Sequence, residues 1–392
     1  MRQLAQWISS VVLIVLIGST CTGLLATTYW VSTSGSDQNG DGSEGNPWAH
    51  VYYGVSHDKT GSVCAVLSQL SNKWCLQPGD TLIIKAGTYE DNLNFVPGGT
   101  SWNAPVTIKA APGEQVILRP PNTNFQNVIG LRLDGSRAHP TEEHYIIIDG
   151  LNLDGANVAY DIIGIADGAG HIRIQNGSVY GSPVTGSRAN CVGSAGDGTG
   201  NTGYNEFINL EIHDCGPKRD PGNSNWCASG CVDFPTNCTD PQIASYLHGM
   251  YIGSYGDVID HCRVHDNSGF GLHLYGADAS ANNVARFNTV YNNACGCGIV
   301  LANYGGLIAH DNVVFGNKSC GIRVDDSNDQ VYDNVCYDNA EGGILVGYMG
   351  GTDVEHSVIS GNICYGNGVG DLVFGGNQQN STSLLNFPRI QP

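Results

Sequence analysis

The residues with chemical potential in this chain are His248, Tyr251, His273, Tyr275, Arg323, Asp325 and Asp326. An imidazole can take up or release a proton near neutral pH, and a phenol can deliver one. A guanidinium can hold a carboxylate through two parallel hydrogen bonds. Two neighbouring aspartates are the hard oxygen ligands that calcium prefers. These residues are scattered over nearly eighty positions, so only a repeating scaffold could gather them.

Such a scaffold is written in the second half of the chain. The pattern glycine, apolar, any, apolar recurs at Gly249, Gly271, Gly298, Gly321 and Gly343, in steps of 22, 27, 23 and 22 residues. Each is followed by a second short apolar strand and by asparagines that form two columns. One column is Asn267, Asn293, Asn317, Asn339 and Asn367; the other is Asn288, Asn312, Asn334 and Asn362, with Cys262 in its first rung. Periods near 22 with short alternating strands predict a parallel β-helix, whose coils bury inward side chains only by stacking. An asparagine tolerates left-handed backbone and can bond its counterpart one coil along, so the columns predict ladders at the bends. Val264, Val290, Val314, Cys336 and Cys364 form an inward stack, and Cys297 and Cys320 lie one coil apart, within disulfide range.

Alternation within the strands then nominates a face. With Met250, Leu272, Ile299, Ile322 and Ile344 inside, Tyr251, His273, Val300, Arg323 and Leu345 point outward in one column. Two residues later the outward column is Gly253, Tyr275, Ala302, Asp325 and Gly347. Tyr251 and His273 are then about 5 Å apart and His273 and Arg323 about 10 Å, the span of a sugar ring. The bland alternative is a solvated face on which Arg323 and Asp325 form a surface ion pair.

Composition narrows the classes. The 392 residues carry 17 Lys and Arg against 36 Asp and Glu, a net charge of −19, which argues against nucleic acid as a partner. A hydrophobic fraction of 41% argues against disorder. Arg2, the apolar run Val11–Ile17 and the small residues before Ala26 predict a signal peptide over 1–26, hence a secreted, extracellular or periplasmic protein with no other membrane segment. A lipid anchor on Cys21 is the competing reading of that leader. The 14 cysteines agree with export, and removal of Cys21 leaves an odd number. Residues 27–77 are expected to cap the N-terminal end and 78–376 to form roughly nine coils. Within them, 216–247 is a Cys-rich insertion holding Cys227, Cys231 and Cys238, and 377–392 is a polar tail. The run Asp37–Gly42 copies half of a calcium loop and is better read as a turn.

Tyr29-Trp30-Val31-Ser32, Asn46-Pro47-Trp48, Leu76-Gln77-Pro78-Gly79-Asp80-Thr81 and Ala86-Gly87-Thr88-Tyr89 resemble the opening of secreted right-handed parallel β-helix proteins of the pectate-lyase-like superfamily. The resemblance extends over nearly the whole mature chain and implies an all-β, right-handed solenoid. It leaves the reaction open, since the superfamily includes lyases, hydrolases, epimerases and proteins without activity. The Asn-Thr-Asp signature of polygalacturonase-type hydrolases does not precede His248-Gly249, and the Asp-Pro-His motif of mannuronan epimerases is absent from the sequence.

On such a scaffold the outward cluster suits β-elimination at a uronic acid of a polysaccharide. Arg323 would neutralise the carboxylate, His248 or His273 would act as base, and Tyr251 or Tyr275 as acid. Calcium on Asp325 and Asp326 would supply positive charge that an acidic chain lacks. The alternatives are an inverting glycoside hydrolase with carboxylates drawn from Asp266, Asp325 and Asp326, and a non-catalytic glycan-binding or structural surface protein. Oligomeric state is left open by the sequence.

Overall fold

Short strands of three to six residues, each with one buried stripe, cannot stand alone and are stabilised only by parallel neighbours. The computed structural model satisfies them by winding the chain into a right-handed parallel β-helix with three long sheets of 12, 10 and 10 strands. It describes residues 26–58, 73–94, 96–122, 127–132, 144–181, 190–195, 202–216, 247–276, 281–347, 354–375 and 384–385. Each coil contributes one strand to every sheet, giving ten full coils where the sequence suggested roughly nine. The first coil carries two of the shortest strands, Gly87–Tyr89 and Leu93–Asn94.

Each coil holds three strands, so a glycine strand is followed by two further strands, each ending at its own asparagine column. Two residues separate Val258–Asp260 in the first sheet from Arg263–His265 in the second, and the same corner recurs through the later coils. In the sequence alone, Tyr145–Gly150, Ile172–Ile174 and Leu210–Ile212 all look like the strand that follows a glycine strand. Tyr145–Gly150 and Ile172–Ile174 lie in the first-sheet strands His144–Asp149 and Gly170–Gln175, but Leu210–Ile212 overlaps the second-sheet strand Glu211–His213. Strands with the same inward alternation are indistinguishable until the corner between them is located.

Both ladders form. Asn312 Oδ1 accepts the Asn288 N–H at 3.0 Å, Asn334 Oδ1 accepts that of Asn312 at 3.0 Å, and Asn362 Oδ1 that of Asn334 at 3.0 Å. The other column repeats the arrangement through Asn267, Asn293, Asn317, Asn339 and Asn367. Cys262 donates its N–H to Asn288 and starts the ladder without extending it. The left-handed residue at each corner is the one before the ladder asparagine: Asp311 and Asp333 have φ of 53° and 54°. The ladder asparagines therefore serve as hydrogen-bonding groups, and the preceding residue absorbs the turn, an Asp, Asn or Gly everywhere except Phe287, which takes φ of 55° before Asn288.

The repeat glycines answer a packing demand. A Cβ on Gly298 would sit 2.3 Å from Val314 Cγ1 and 2.8 Å from the Asn317 amide nitrogen. The inward column Val264, Val290, Val314, Cys336 and Cys364 stacks in register, and Cys297 and Cys320 form a disulfide with Cα atoms 4.3 Å apart. Cys215, just before the Cys-rich insertion, pairs with Cys191; Cys227, Cys231 and Cys238 lie outside the described residues. Disulfides of this kind place the chain outside the reducing cytoplasm. The leader up to Cys21 and beyond also lies outside them, as does nearly all of the insertion.

At the N-terminal end, Thr28–Val31 pairs with Thr81–Ile84, and Trp48, Val51 and Val55 join the same core as Leu82. In the stretch Asp37–Gly42, Asp37 accepts the Ala49 N–H and Asp41 the Ser43 N–H, so these carboxylates brace a turn. Of the polar tail, Leu384–Leu385 adds a last strand to the first sheet.

Candidate functional site

The third sheet carries the outward cluster. Its register aligns Tyr251 with His273, His273 with Val300, Val300 with Arg323 and Arg323 with Leu345. The ring centroids of Tyr251 and His273 are 5.1 Å apart, and Tyr251 stacks on Tyr275 at 5.3 Å. His273 stands edge-on to His248, Phe270 and both tyrosines. Six of the seven nominated residues are thus contiguous: Phe270, which stacks on His248 at 4.8 Å and lies 5.0 Å beneath the Arg323 guanidinium carbon, joins Arg323 to the rings, and Asp325 is joined through its pairing with Arg323.

His248 owes its position to a ladder that the sequence reading missed. Asp161, Asn190, His248 and Phe270 each fall two residues before a third-sheet strand. Asp161 Oδ1 accepts the Asn190 N–H at 2.6 Å, Asn190 Oδ1 accepts the His248 N–H at 3.1 Å, and His248 Nδ1 accepts the Phe270 N–H at 3.1 Å. A polar residue at that fixed offset was the available signal. Because Nδ1 accepts, the neutral ring carries its proton on Nε2 and donates it to His273 Nδ1, 3.3 Å away. His273 must in turn carry its proton on Nε2, and that atom has no hydrogen-bond partner among the described residues. A buried donor without an acceptor costs stability, so the strand holds His273 there against that cost.

Both imidazoles are neutral. Burial, with the Arg323 charge second, pushes His248 down to about 3. Burial, then His248 and Arg323, holds His273 well below the usual range. The two tyrosines are half-buried and reach the surface, whereas His248 is 1% and Arg323 only 4% exposed.

Arg323 and Asp325 are paired, Nε to Oδ2 at 2.8 Å, but inside the protein and not on a solvated face. Val300, Leu345 and the Cys297–Cys320 disulfide form a small apolar cluster outside the main core, against which Phe270, Ala302 and Val373 pack. The guanidinium charge therefore lies beneath the surface, two coils from His273 in the same column. Asp326 is partly buried and its carboxyl is raised by that burial. Asp329, fully buried nearby, is raised to about 8 by burial, with the charges of Asp326 and Asp325 adding to it.

Calcium at Asp325 and Asp326 fits poorly, because Asp325 faces a guanidinium. Among the described residues no group of three or more His, Cys, Asp or Glu gathers as a metal site. Asp266 lies at a corner after the second sheet, in left-handed conformation and bonded to His265, so it is not a partner carboxylate for Asp325.

Residues 236–387 match the family described as right handed beta helix region. The fold is similar to that of the pectate lyase Pel9A, with TM-score 0.52 and 15% identity, covering 87% of this chain and 79% of that one. It is also similar to the alginate lyase from Paenibacillus sp. str. FPU-7, with TM-score 0.51 and 15% identity, covering 76% and 92%. At such identity the likeness is one of fold. No curated protein matches the chain. From strand register to coil closure, the chain has a right-handed parallel β-helix fold, similar to that of the pectate lyase Pel9A.

Proposed function

We propose that this protein is a secreted, carbohydrate-active β-helix that cleaves a uronate-containing polysaccharide by β-elimination on the outer face of its third sheet. The observation that carries the reading is the half-buried stacked pair Tyr251 and Tyr275 edge-on to His273, whose Nε2–H has no acceptor among the described residues, with the Arg323 charge two coils from His273. Two solved structures of similar fold are a pectate lyase and an alginate lyase, which favours a glycan substrate.

The roles shift from those expected. His248 is occupied on both nitrogens and serves as a positioning residue that fixes the tautomer of His273. His273, its Nε2–H buried, then positions the two tyrosine rings that stand edge-on to it instead of acting as base. A tyrosine phenolate would remove the carbon-bound proton next to the substrate carboxylate. As the carbon–oxygen bond breaks and the double bond forms, the resulting phenol returns a proton to the departing oxygen. Arg323 would stabilise the developing negative charge through space, without touching substrate. No step is routed through a metal.

The test is incubation of the mature protein with uronate-containing and neutral polysaccharides, with calcium and with a chelator, following ultraviolet absorbance of unsaturated uronate and reducing ends. New absorbance that Tyr275→Phe lowers about 100-fold or more supports the reading, in line with the contribution of one acid–base group. Reducing ends without absorbance would instead identify a hydrolase. A second reading, glycan binding without cleavage, is favoured by the burial of Arg323; binding of a glycan by a folded sample silent in both assays would establish it.

A further inference from the structure

The inward column of the second sheet ends in two thiols. Cys336 and Cys364 occupy the same position of successive coils, directly paired in the parallel register Val335–Ile363, Cys336–Cys364 and Tyr337–Tyr365. Parallel neighbours place Cα atoms about 4.8 Å apart, inside the range that a disulfide spans. The same molecule shows that one coil step can be bridged, since Cys297 and Cys320 are linked across it with Cα atoms 4.3 Å apart. Cys336 and Cys364 are unlinked in this structure, and their thiols lie within hydrogen-bonding reach of each other.

We infer that Cys336 and Cys364 form a second coil-to-coil disulfide, closed by exchange with a small-molecule disulfide, that staples the last two coils of the helix. Access separates the roles of the two thiols. Cys336 is fully buried, whereas Cys364 is partly exposed because, among the described residues, its coil is the last to contribute to this sheet and no strand of the sheet stacks on its far side. The Cys364 thiolate attacks one sulfur of the disulfide RSSR, forming a mixed disulfide and releasing RSH. The Cys336 thiolate then attacks the Cys364 sulfur, a protein disulfide forms and a second RSH leaves. Two protein thiols and one RSSR thus give one protein disulfide and two RSH.

The staple acts where the helix is otherwise held least. Strand Ile363–Tyr365 has no fully buried residue, and neither does Gly370–Phe374, whereas the equivalent strands one coil earlier are buried at their inward positions. A bridge between Cys336 and Cys364 ties this open coil to a closed one and leaves Cys262, buried at the head of its ladder, as a thiol.

The experiment uses the full mature chain, incubated at mildly alkaline pH with oxidised glutathione or with a reductant, then denatured, alkylated, digested and weighed. The expected result is the loss of two alkylatable thiols in the oxidised sample and a cross-linked peptide pair joining Cys336 to Cys364. Cys262 is alkylated in both samples after denaturation. Glutathione retained on Cys364 with Cys336 alkylated would overturn the inference, because the second thiol then fails to reach the first. Full alkylation of both after oxidation would overturn it equally. Cys336→Ser, which keeps Cys364 in place, is expected to trap the mixed disulfide, and its folding is checked by circular dichroism. Hydrogen exchange of Val358–Ser360 and Ile363–Tyr365 is expected to slow in the oxidised parent and to be unchanged in this variant.

Discussion

Replacing Asn312 by alanine tests whether the ladders stabilise the solenoid or merely accompany it. The Asn312 side chain makes four bonds, all near 3 Å: it accepts from Asn288 N and Nδ2 and donates to Ala285 O and Asn334 Oδ1. Truncation leaves two of these partners with other contacts, since Asn288 Nδ2 still reaches Ile259 O and Asn334 Oδ1 still accepts the Asn312 N–H. The Asn288 N–H and the Ala285 carbonyl lose the side-chain partner in a fully buried setting. At about 1 to 3 kcal/mol for each buried group left unsatisfied, and with a small cavity added, Asn312→Ala is expected to cost about 3 to 5 kcal/mol. Asn292→Ala is the control: Asn292 is an exposed corner residue with φ of 54°, so losing its tolerance of left-handed backbone costs about 1 kcal/mol. Urea unfolding followed by tryptophan fluorescence and circular dichroism measures both. Equal losses for the two variants would refute the ladder as a source of stability.

Three further perturbations follow from the same structure. Gly298→Ala places a methyl group against Val314 and the Asn317 amide and is expected to cost about 1 to 3 kcal/mol. Gly45→Ala, with nothing within 4 Å, is expected to be silent in the same unfolding assay. His248 and His273 have folded pKa values below the unfolded 6.5, so the unfolded chain binds protons that the fold refuses, and stability falls as pH drops below about 6.5. Each contributes a slope of about 1.4 kcal/mol per pH unit, and His248→Gln, which can still accept the Phe270 N–H, is expected to make the acid limb of the urea midpoint shallower. Asp329 has the opposite sense. With its folded pKa raised to about 8, it keeps a proton that the unfolded chain releases, so stability falls as pH rises from 3.8 toward 8. Asp329→Asn retains the acceptor for the Leu307 N–H and is expected to exceed the parent in urea midpoint at pH 9, with the difference closing near pH 4.

Much of the scaffold was legible because a solenoid writes its geometry into a period. Every coil must place an inward apolar residue, a small residue where backbones approach and a polar group at the bend, so the columns at Gly249, Asn267 and Val264 repeat in the chain itself. The Cys297–Cys320 bridge follows from the same arithmetic. Coils whose steps are irregular lose that signal, which is why the sequence suggests roughly nine coils and not ten, and why Leu210–Ile212 looks like a first-sheet strand.

By itself the sequence determined that Tyr251, His273 and Arg323 share an outward column, because strand alternation and coil period are properties of the backbone. Depth and protonation were decided by tertiary structure. Arg323 shares its column with Tyr251, but neighbouring side chains and the Cys297–Cys320 bridge enclose it, so it acts as a buried charge and not as an open clamp. Likewise His248 looked like a base, and only the approach of the Phe270 N–H from the next coil fixes its proton on Nε2 and turns His273 into a donor. A period encodes direction along and out of the sheet; what covers a side chain, and which of its atoms finds a partner, depends on segments far apart in the chain meeting in three dimensions.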